Sequence, residues 1–281
     1  MVVEGHLRGS KESDAPSDLR HDPSGGSISD LTSRNGIDRQ SAVAPQIHRI
    51  LREAIVSVHL VPGQALSEQD VALQLGVSRT PVRESFIRLA TEGLVGIFPQ
   101  LGTIVARIDV DAVIEAQFVR EVLEVASVRI ACSTSDPARM ALLFANLGGQ
   151  AEACDVGDVD RFHELDDDLH RTIFEIADHP AAWRVVHSAK PHLDRARHLT
   201  IPDAAVRMRD LAQHREIVDA LTAGDEDAAD AAVRRHARAM LGELPQLRER
   251  FPQYFSGPTS AASNVTIAAP PTEVGAKPRG R

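Results

Sequence analysis

The sequence predicts a mainly α protein in two parts: a small N-terminal domain that closes with a β-ribbon, then a C-terminal all-α bundle of six helices. Three observations lead there. Apolar residues fill 43% of the 281 positions but aromatics only 4%, so the core is built from Leu, Val, Ile and Ala, which suits helices. The stretch Ser67–Val105 reads as helix, glycine turn, helix and two short strands. From Asp109 onward one helical pattern follows another, separated only by short breaks.

Residues 1–40 are rich in Ser, Gly, Asp and Arg, hold no sustained apolar period, and read as a disordered arm. The first domain then spans 41–107. Its first helix, Ala44–Val58, repeats Ile47, Ile50, Leu51, Ala54, Ile55 and Val58 on one face and leaves through the turn Val61-Pro-Gly-Gln64. Glu68–Leu75 sets Val71, Ala72 and Leu75 on one side, and Gly76 ends it. Ser78 is placed to cap the next helix, and Pro81 falls in that helix's first turn, where a missing N–H costs little. Val82, Phe86, Leu89 and Ala90 form its apolar back, while Arg79, Thr80 and Arg83 lie opposite. After Gly93, Leu94–Phe98 and Thr103–Arg107 read as strands joined by Pro99–Gly102. A turn, an arginine-fronted helix and a wing, in that order, are what a major-groove reader requires, because Arg can pair bidentately with guanine O6 and N7. The alternative is a surface helix-turn-helix that meets no nucleic acid.

Bulk charge narrows this reading. The formal net charge is −9, yet residues 41–107 carry six Arg against five acids, a local balance of +1. DNA contact would therefore rest on a local arginine patch and not on a global field. Cys132 and Cys154 show neither metal-ligand spacing nor a disulfide framework and read as small buried residues. The first thirty residues lack the apolar segment of a signal peptide, and no run reaches the ~20 apolar residues of a membrane helix, so the expected compartment is cytoplasmic.

The segments G-V-S-R-T-P-V-R-E (76–84), R-L-A-T-E-G-L-V (88–95) and P-Q-L-G-T-I-V (99–105) resemble the winged helix-turn-helix of the GntR family of bacterial transcription regulators over roughly 45–107. That resemblance implies that Arg79, Thr80 and Arg83, with Ser78 beside them, contact DNA and that Gly102 makes the tight turn of the wing. Two positions depart from the family pattern: Gln69, where some relatives carry a DNA-contacting arginine, and Leu101, where a basic residue is common.

The second domain is expected over 108–252, with helices near 109–133, 137–154, 158–177, 180–199, 204–223 and 225–247, Gly224 as a C-cap and Asp225 as an N-cap. Residues 253–281, rich in Ser, Pro, Gly and Ala, read as a disordered tail. Within the bundle, Asp166 and His170 stand at i, i+4 on one helix. His214 lies ten residues before Gly224 and His236 twelve after it, so two antiparallel helices would carry them ~15 and ~18 Å from the turn, level with each other. One carboxylate and three imidazoles make a first-row divalent metal set, Zn, Ni or Mn. With twelve histidines in the chain, four unrelated polar residues remain the alternative. His163, His179, His187, His192 and His198 show no comparable arrangement.

Here a second resemblance enters. F-V-R-E-V-L-E (118–124), D-D-D-L-H (166–170), A-Q-H-R-E-I-V-D-A-L-T-A-G-D (212–225) and R-R-H (234–236) resemble the helical FCD domain of the FadR-type branch of GntR regulators, over about 109–247. Members with an Asp and three His at these positions bind a metal, which implies that Asp166, His170, His214 and His236 do so here. Arg120 is mid-helix in an otherwise apolar inner face, and an interior arginine needs an anion. Glu124 or Glu121 would serve structurally; the resemblance implies instead that Arg120 helps hold a small organic acid. The expectation is a homodimeric repressor-type regulator that reads two half-sites of double-stranded operator DNA and is controlled by a small carboxylate effector at the metal. The competing readings are a metalloenzyme that uses the Asp/His set for hydrolysis, for which Asp167 and Asp168 are poorly placed as a base, and a metal-free bundle that only dimerises.

Overall fold

The structure, a computed structural model, describes residues 36–134 and 137–257. Most of the expected arm and tail therefore lies outside the described residues, as do residues 135–136 of the turn before Pro137.

Helix α1 (Val43–Val56) buries Ile47, Ile50, Leu51, Ala54 and Ile55. Helix α2 (Glu68–Leu75) is capped by the Ser67 side chain, which accepts from the Asp70 N–H, and stops at Gly76, whose φ of +62° is left-handed. Helix α3 (Arg79–Thr91) turns Val82, Phe86 and Leu89 into the core against α1. Ser78 holds the N-cap position of α3 in extended backbone, but its side chain makes no cap hydrogen bond, which corrects the expected cap. The ribbon gains a third strand. Strands β1 (Ala65–Leu66), β2 (Val95–Phe98) and β3 (Gly102–Val105) form an antiparallel sheet in the order β1-β3-β2, with Ala65 opposite Ile104 and Phe98 opposite Gly102. Two residues are too few to show alternation, so β1 leaves no period to read. Gly102 at φ +87° and Gln100 at φ +67° shape the turn of the wing.

The helical domain consists of α4 (Val110–Cys132), α5 (Pro137–Val156), α6 (Val159–Ile176), α7 (Pro180–Ala189), α8 (Pro191–Thr200), α9 (Ala204–Ala223) and α10 (Glu226–Arg250), followed by a 3-10 turn at Pro252–Tyr254. Asp109, Asp158, Asp203 and Asp225 cap four of these helices through their carboxylates, and Gly224 ends α9 at φ +67°. The single helix expected over 180–199 is two. Pro191 has no N–H to donate to the His187 carbonyl, and the chain breaks at Lys190. The freed carbonyl instead accepts from Arg52 of α1 at 3.4 Å. The bundle core is made by Leu143, Phe162, Leu169, Ile173, Ile217 and Val233, with their neighbours.

Two expected boundaries move. Tyr254 and Phe255 are buried against Val58, Ile108, Leu244 and Leu247, and Ile108 exchanges backbone hydrogen bonds with Tyr254 and Ser256, so 253–257 belongs to the fold. An isolated apolar pair has no period, which is why these residues read as tail. At the other end, Arg39 donates to the Gly76 carbonyl at 3.0 Å and Gln46 donates to that of Asp38 at 2.8 Å, so the ordered chain begins before residue 41.

The two domains meet along α8. Its Leu193, Ala196 and Leu199 pack with Val58 and Ile108, His192 Nδ1 accepts from the Asp109 N–H at 3.1 Å, and Arg195 donates to the Ala106 carbonyl at 2.5 Å.

Phe162 is fully buried in the bundle core. Phe162→Ala should cost about 3–5 kcal/mol, read from the urea unfolding of the full chain. A second expectation concerns pH. Burial lowers His163 to about 4, against the pull of Asp167, and lowers His192 to about 4 with Arg195 adding to the effect. Unfolded histidine takes up its proton near 6.5, so between about 6.5 and 4 the unfolded chain binds more protons than the folded one. Stability should hold above pH 7 and fall from about 6.5 to 4, these two groups contributing at most about 2.7 kcal/mol per pH unit to the urea-derived free energy.

Candidate nucleic-acid interface and candidate metal centre

The N-terminal turn of α3 presents Ser78, Arg79, Thr80 and Arg83 to solvent together. Both guanidinium groups lean on one carboxylate from α2: Arg79 Nη2 is 2.9 Å from Glu68 Oε2, and Arg83 Nε is 3.5 Å from Glu68 Oε1. The arginine side chains are 67% and 74% exposed, so these pairs are weak and a nucleic-acid acceptor can replace the carboxylate. Gln69 is exposed on α2, and Leu101 stands 74% exposed at the wing tip beside Gly102.

The second site is assembled from three helices of the bundle. Helix α6 supplies Asp166 and His170, α9 supplies His214 and α10 supplies His236, all buried. The three imidazoles turn the same atom inward. His170 Nε2 and His214 Nε2 lie 3.2 and 3.3 Å from His236 Nε2, and Asp166 Oδ1 lies 3.2 Å from His214 Nε2. Each outer nitrogen faces an oxygen: His214 Nδ1 is 2.7 Å from Gln150 Oε1, His236 Nδ1 is 3.1 Å from Gln213 Oε1, and His170 Nδ1 is 3.1 Å from Glu124 Oε2. Those acceptors assign the proton to Nδ1 and leave the Nε2 lone pairs converging. One ligand atom from each of the four residues lies within 4.8 Å of all the others. Four donors at 2.0–2.1 Å from a tetrahedral ion stand about 3.3 Å apart, so the donor set fits a first-row divalent cation in both spacing and chemistry.

The electrostatics agree with that fit. Burial raises the Asp166 carboxyl, but the Arg197 guanidinium against both of its oxygens outweighs it and holds it well below the carboxylate range. Burial lowers His170 despite Glu124, and lowers His236 with help from His214, His170 and Arg120. An ionised carboxylate and neutral imidazoles are the forms that ligate metals.

Arg120, 4% exposed, reaches this cluster from α4. It donates from Nε to Glu124 Oε1 at 2.7 Å, and its Nη2 lies 2.7 Å from His170 Nε2 and 3.2 Å from His236 Nε2. Burial raises Glu124, but Arg120 and His170 bring it down to about 2. Of the two acids weighed as structural partners, Glu124 is the one used; Glu121 instead receives Arg234 and Arg238. A small cavity lined by Arg120, Arg197, Thr200, Arg209, Asp210 and His236 opens beside the cluster.

Sequence reasoning missed several partners here. Arg197 of α8 grips both Asp166 oxygens, at 2.6 and 2.7 Å. Gln150 comes from α5, and nothing in its spacing marks it. Gln213 had a signal, being adjacent to His214. A second cluster, His163, Asp167 and Asp194, also forms; His163 and Asp167 share the i, i+4 spacing that drew attention to Asp166 and His170. This cluster already holds a cation, since Lys190 Nζ lies 2.6 Å from Asp167 and 2.9 Å from Asp194. Asp167 is thereby engaged, and Asp168 pairs with Arg171 at the surface.

Comparison with known proteins agrees with both halves. Residues 44–105 match the bacterial regulatory proteins of the gntR family, and residues 115–239 match the FCD domain. An HTH-type transcriptional regulator in an unstable DNA locus of Streptomyces ambofaciens is 42% identical over 77% of this chain and 90% of its own. The HTH-type transcriptional repressor RspR of Escherichia coli K12 is 35% identical over 80% of this chain and 99% of its own. The solved structure of E. coli McbR/YncC, 20% identical, shares the fold with a TM-score of 0.64 over 75% of this chain and 99% of its own. The chain therefore belongs to the GntR family, with a winged helix-turn-helix joined to an FCD domain, and is a DNA-binding transcriptional regulator.

Proposed function

We propose that this regulator is a homodimeric repressor whose hold on operator DNA is set by a small carboxylate bound at a divalent metal in the FCD domain. The observation that carries this reading is the convergence of Asp166 Oδ1 and three histidine Nε2 atoms, each outer nitrogen facing an oxygen. Zn, Ni and Mn all suit the donor set. A bound ion would supply a Lewis-acidic point for one carboxylate oxygen of the effector. Arg120, already at the cluster, would meet the second oxygen through its guanidinium fork.

At the DNA end, Arg79 and Arg83 would exchange Glu68 for base edges, with Thr80 and Ser78 on the adjoining backbone and Gly102 carrying the wing. Repression is supported by the naming of the relative RspR as a repressor. A second copy is supported by the exposed stripe of Phe118, Val122 and Ile130 along α4, which has helical spacing, and by the two half-sites that winged-helix dimers read. Operator DNA also places the working protein in the cytoplasm.

The direct experiment is a thermal melt of the full chain against small mono-, di- and tricarboxylates, with and without chelator. An effector at 100 times its Kd should add about 2.7 kcal/mol, and chelator should abolish the shift. A shift that persists after verified metal loss would move recognition to Arg120 alone, and no bound metal under any condition would make the bundle a metal-free one. His214→Ala should lower metal content measured by elemental analysis; full occupancy in that variant would remove the ligand set. Arg79→Ala and Arg83→Ala should each cost about 1–3 kcal/mol in operator affinity, and unchanged binding in both would remove the reading-helix assignment.

A further inference from the structure

We infer that α8 is the coupling element between the metal centre and the DNA-binding domain, with Arg197 as its input contact and Arg195 and His192 as its output contacts. The inference rests on the reading above that Asp166 ligates a divalent metal.

Two adjacent residues of α6 hold α8 at both ends. Asp166 takes the Arg197 guanidinium through both oxygens, at 2.6 and 2.7 Å, near the C-terminus of α8. Asp167 takes Lys190, the residue at the α7–α8 break, at 2.6 Å, and Lys190 also reaches Asp194 inside α8 at 2.9 Å. These groups are mostly sealed from solvent, Lys190 and Arg197 at 3% and 5% side-chain exposure, so neither contact loosens cheaply. Helix α8 is only ten residues long and begins at Pro191, where the hydrogen-bond ladder from α7 is interrupted. It can shift as one body about that break.

The opposite face of α8 holds the other domain. Residues 195 and 197 are two apart, about 200° around a helix, while 192 and 195 share a face. Arg195 is fully buried and donates to the carbonyl of Ala106, just after β3. Among the described residues its Nε and Nη1 have no hydrogen-bond partner, and burial lowers its pKa to about 9. His192 accepts from the Asp109 N–H, and its Nε2 packs beside Gly93, just past the end of α3. Helix α8 thus grips both the connection between the domains and the base of the reading helix.

Ligation at Asp166 Oδ1 draws on an oxygen that Arg197 now shares with His214. The balance at that oxygen sets where Arg197 sits, and α8 carries the difference to residues 106–109 and Gly93. A metal can bias the DNA-binding domain only by the difference in its affinity for the two placements of α8, and operator DNA must bias metal binding by the same factor.

The test is hydrogen–deuterium exchange of the full chain by mass spectrometry, with and without zinc sulfate, for wild type, Arg195→Gln and His192→Ala, with bound zinc measured on each. In wild type, zinc should slow or speed exchange by at least about threefold both in α6, α9 and α10 and in peptides covering 86–94 and 102–110. In the two variants the change within the bundle and the zinc content should persist, while the change in the DNA-binding domain falls below about half its wild-type size on the same free-energy scale. If Arg195→Gln does not fold by circular dichroism, His192→Ala decides alone. A zinc response confined to the bundle in wild type, or one that still reaches 102–110 in the folded variants, overturns the coupling. Zinc neither bound nor sensed in the bundle overturns the metal reading itself and the coupling with it.

Discussion

Inside the helical domain, a carboxylate and a guanidinium that have both lost their water hold each other through two hydrogen bonds, and much of the rest follows from where that pair must sit. Asp166 is fully buried and Arg197 nearly so. Charges at such depth are costly unless paired in good geometry, so this pair sets how α6 and α8 lie against each other. With α6 fixed, His170 is placed one turn beyond Asp166, opposite the histidines of α9 and α10. The same demand for partners recruits Gln150, Gln213 and Glu124 to the outer nitrogens and Arg120 to Glu124. The polar interior is therefore a connected network in which nearly every member constrains another, in contrast to the aliphatic core that surrounds it.

The DNA-binding domain uses the same chemistry at the opposite extreme of exposure. Glu68 stands between two arginines as Asp166 stands before Arg197, but in water, where the pairing is weak and exchangeable. A buried pair sets position; an exposed pair leaves the guanidinium groups free to change partner. A net charge of −9 is compatible with DNA binding because the acidic excess lies outside residues 41–107, while the reading face shows its arginines to solvent.

Between the two stands the break at Pro191. One missing N–H separates α7 from α8, frees the His187 carbonyl for Arg52, and leaves a short helix whose two faces belong to different domains. The buried Arg195, which has one carbonyl and no acid as partner among the described residues, lies on the face toward the linker, a costly placement that a purely structural seam would not require.

The sequence by itself determined what depends on near neighbours along the chain. Helix periods, the glycine stops at Gly76 and Gly224, the aspartate cap at Asp225 and the split between an apolar back and an arginine front in α3 are all local, and each was legible as pattern. The level placement of His214 and His236 about Gly224 was legible too, because one antiparallel hairpin fixes it. The two-residue strand β1 and the pair Tyr254–Phe255 gave no period, and their role comes from what they meet across the fold. Only the tertiary structure decided which acid Arg120 takes, that Lys190 fills the His163–Asp167–Asp194 cluster, and that Arg197 belongs to Asp166. Those pairings depend on which charges lose their water together, and that is set by how the helices pack and not by spacing along any one of them.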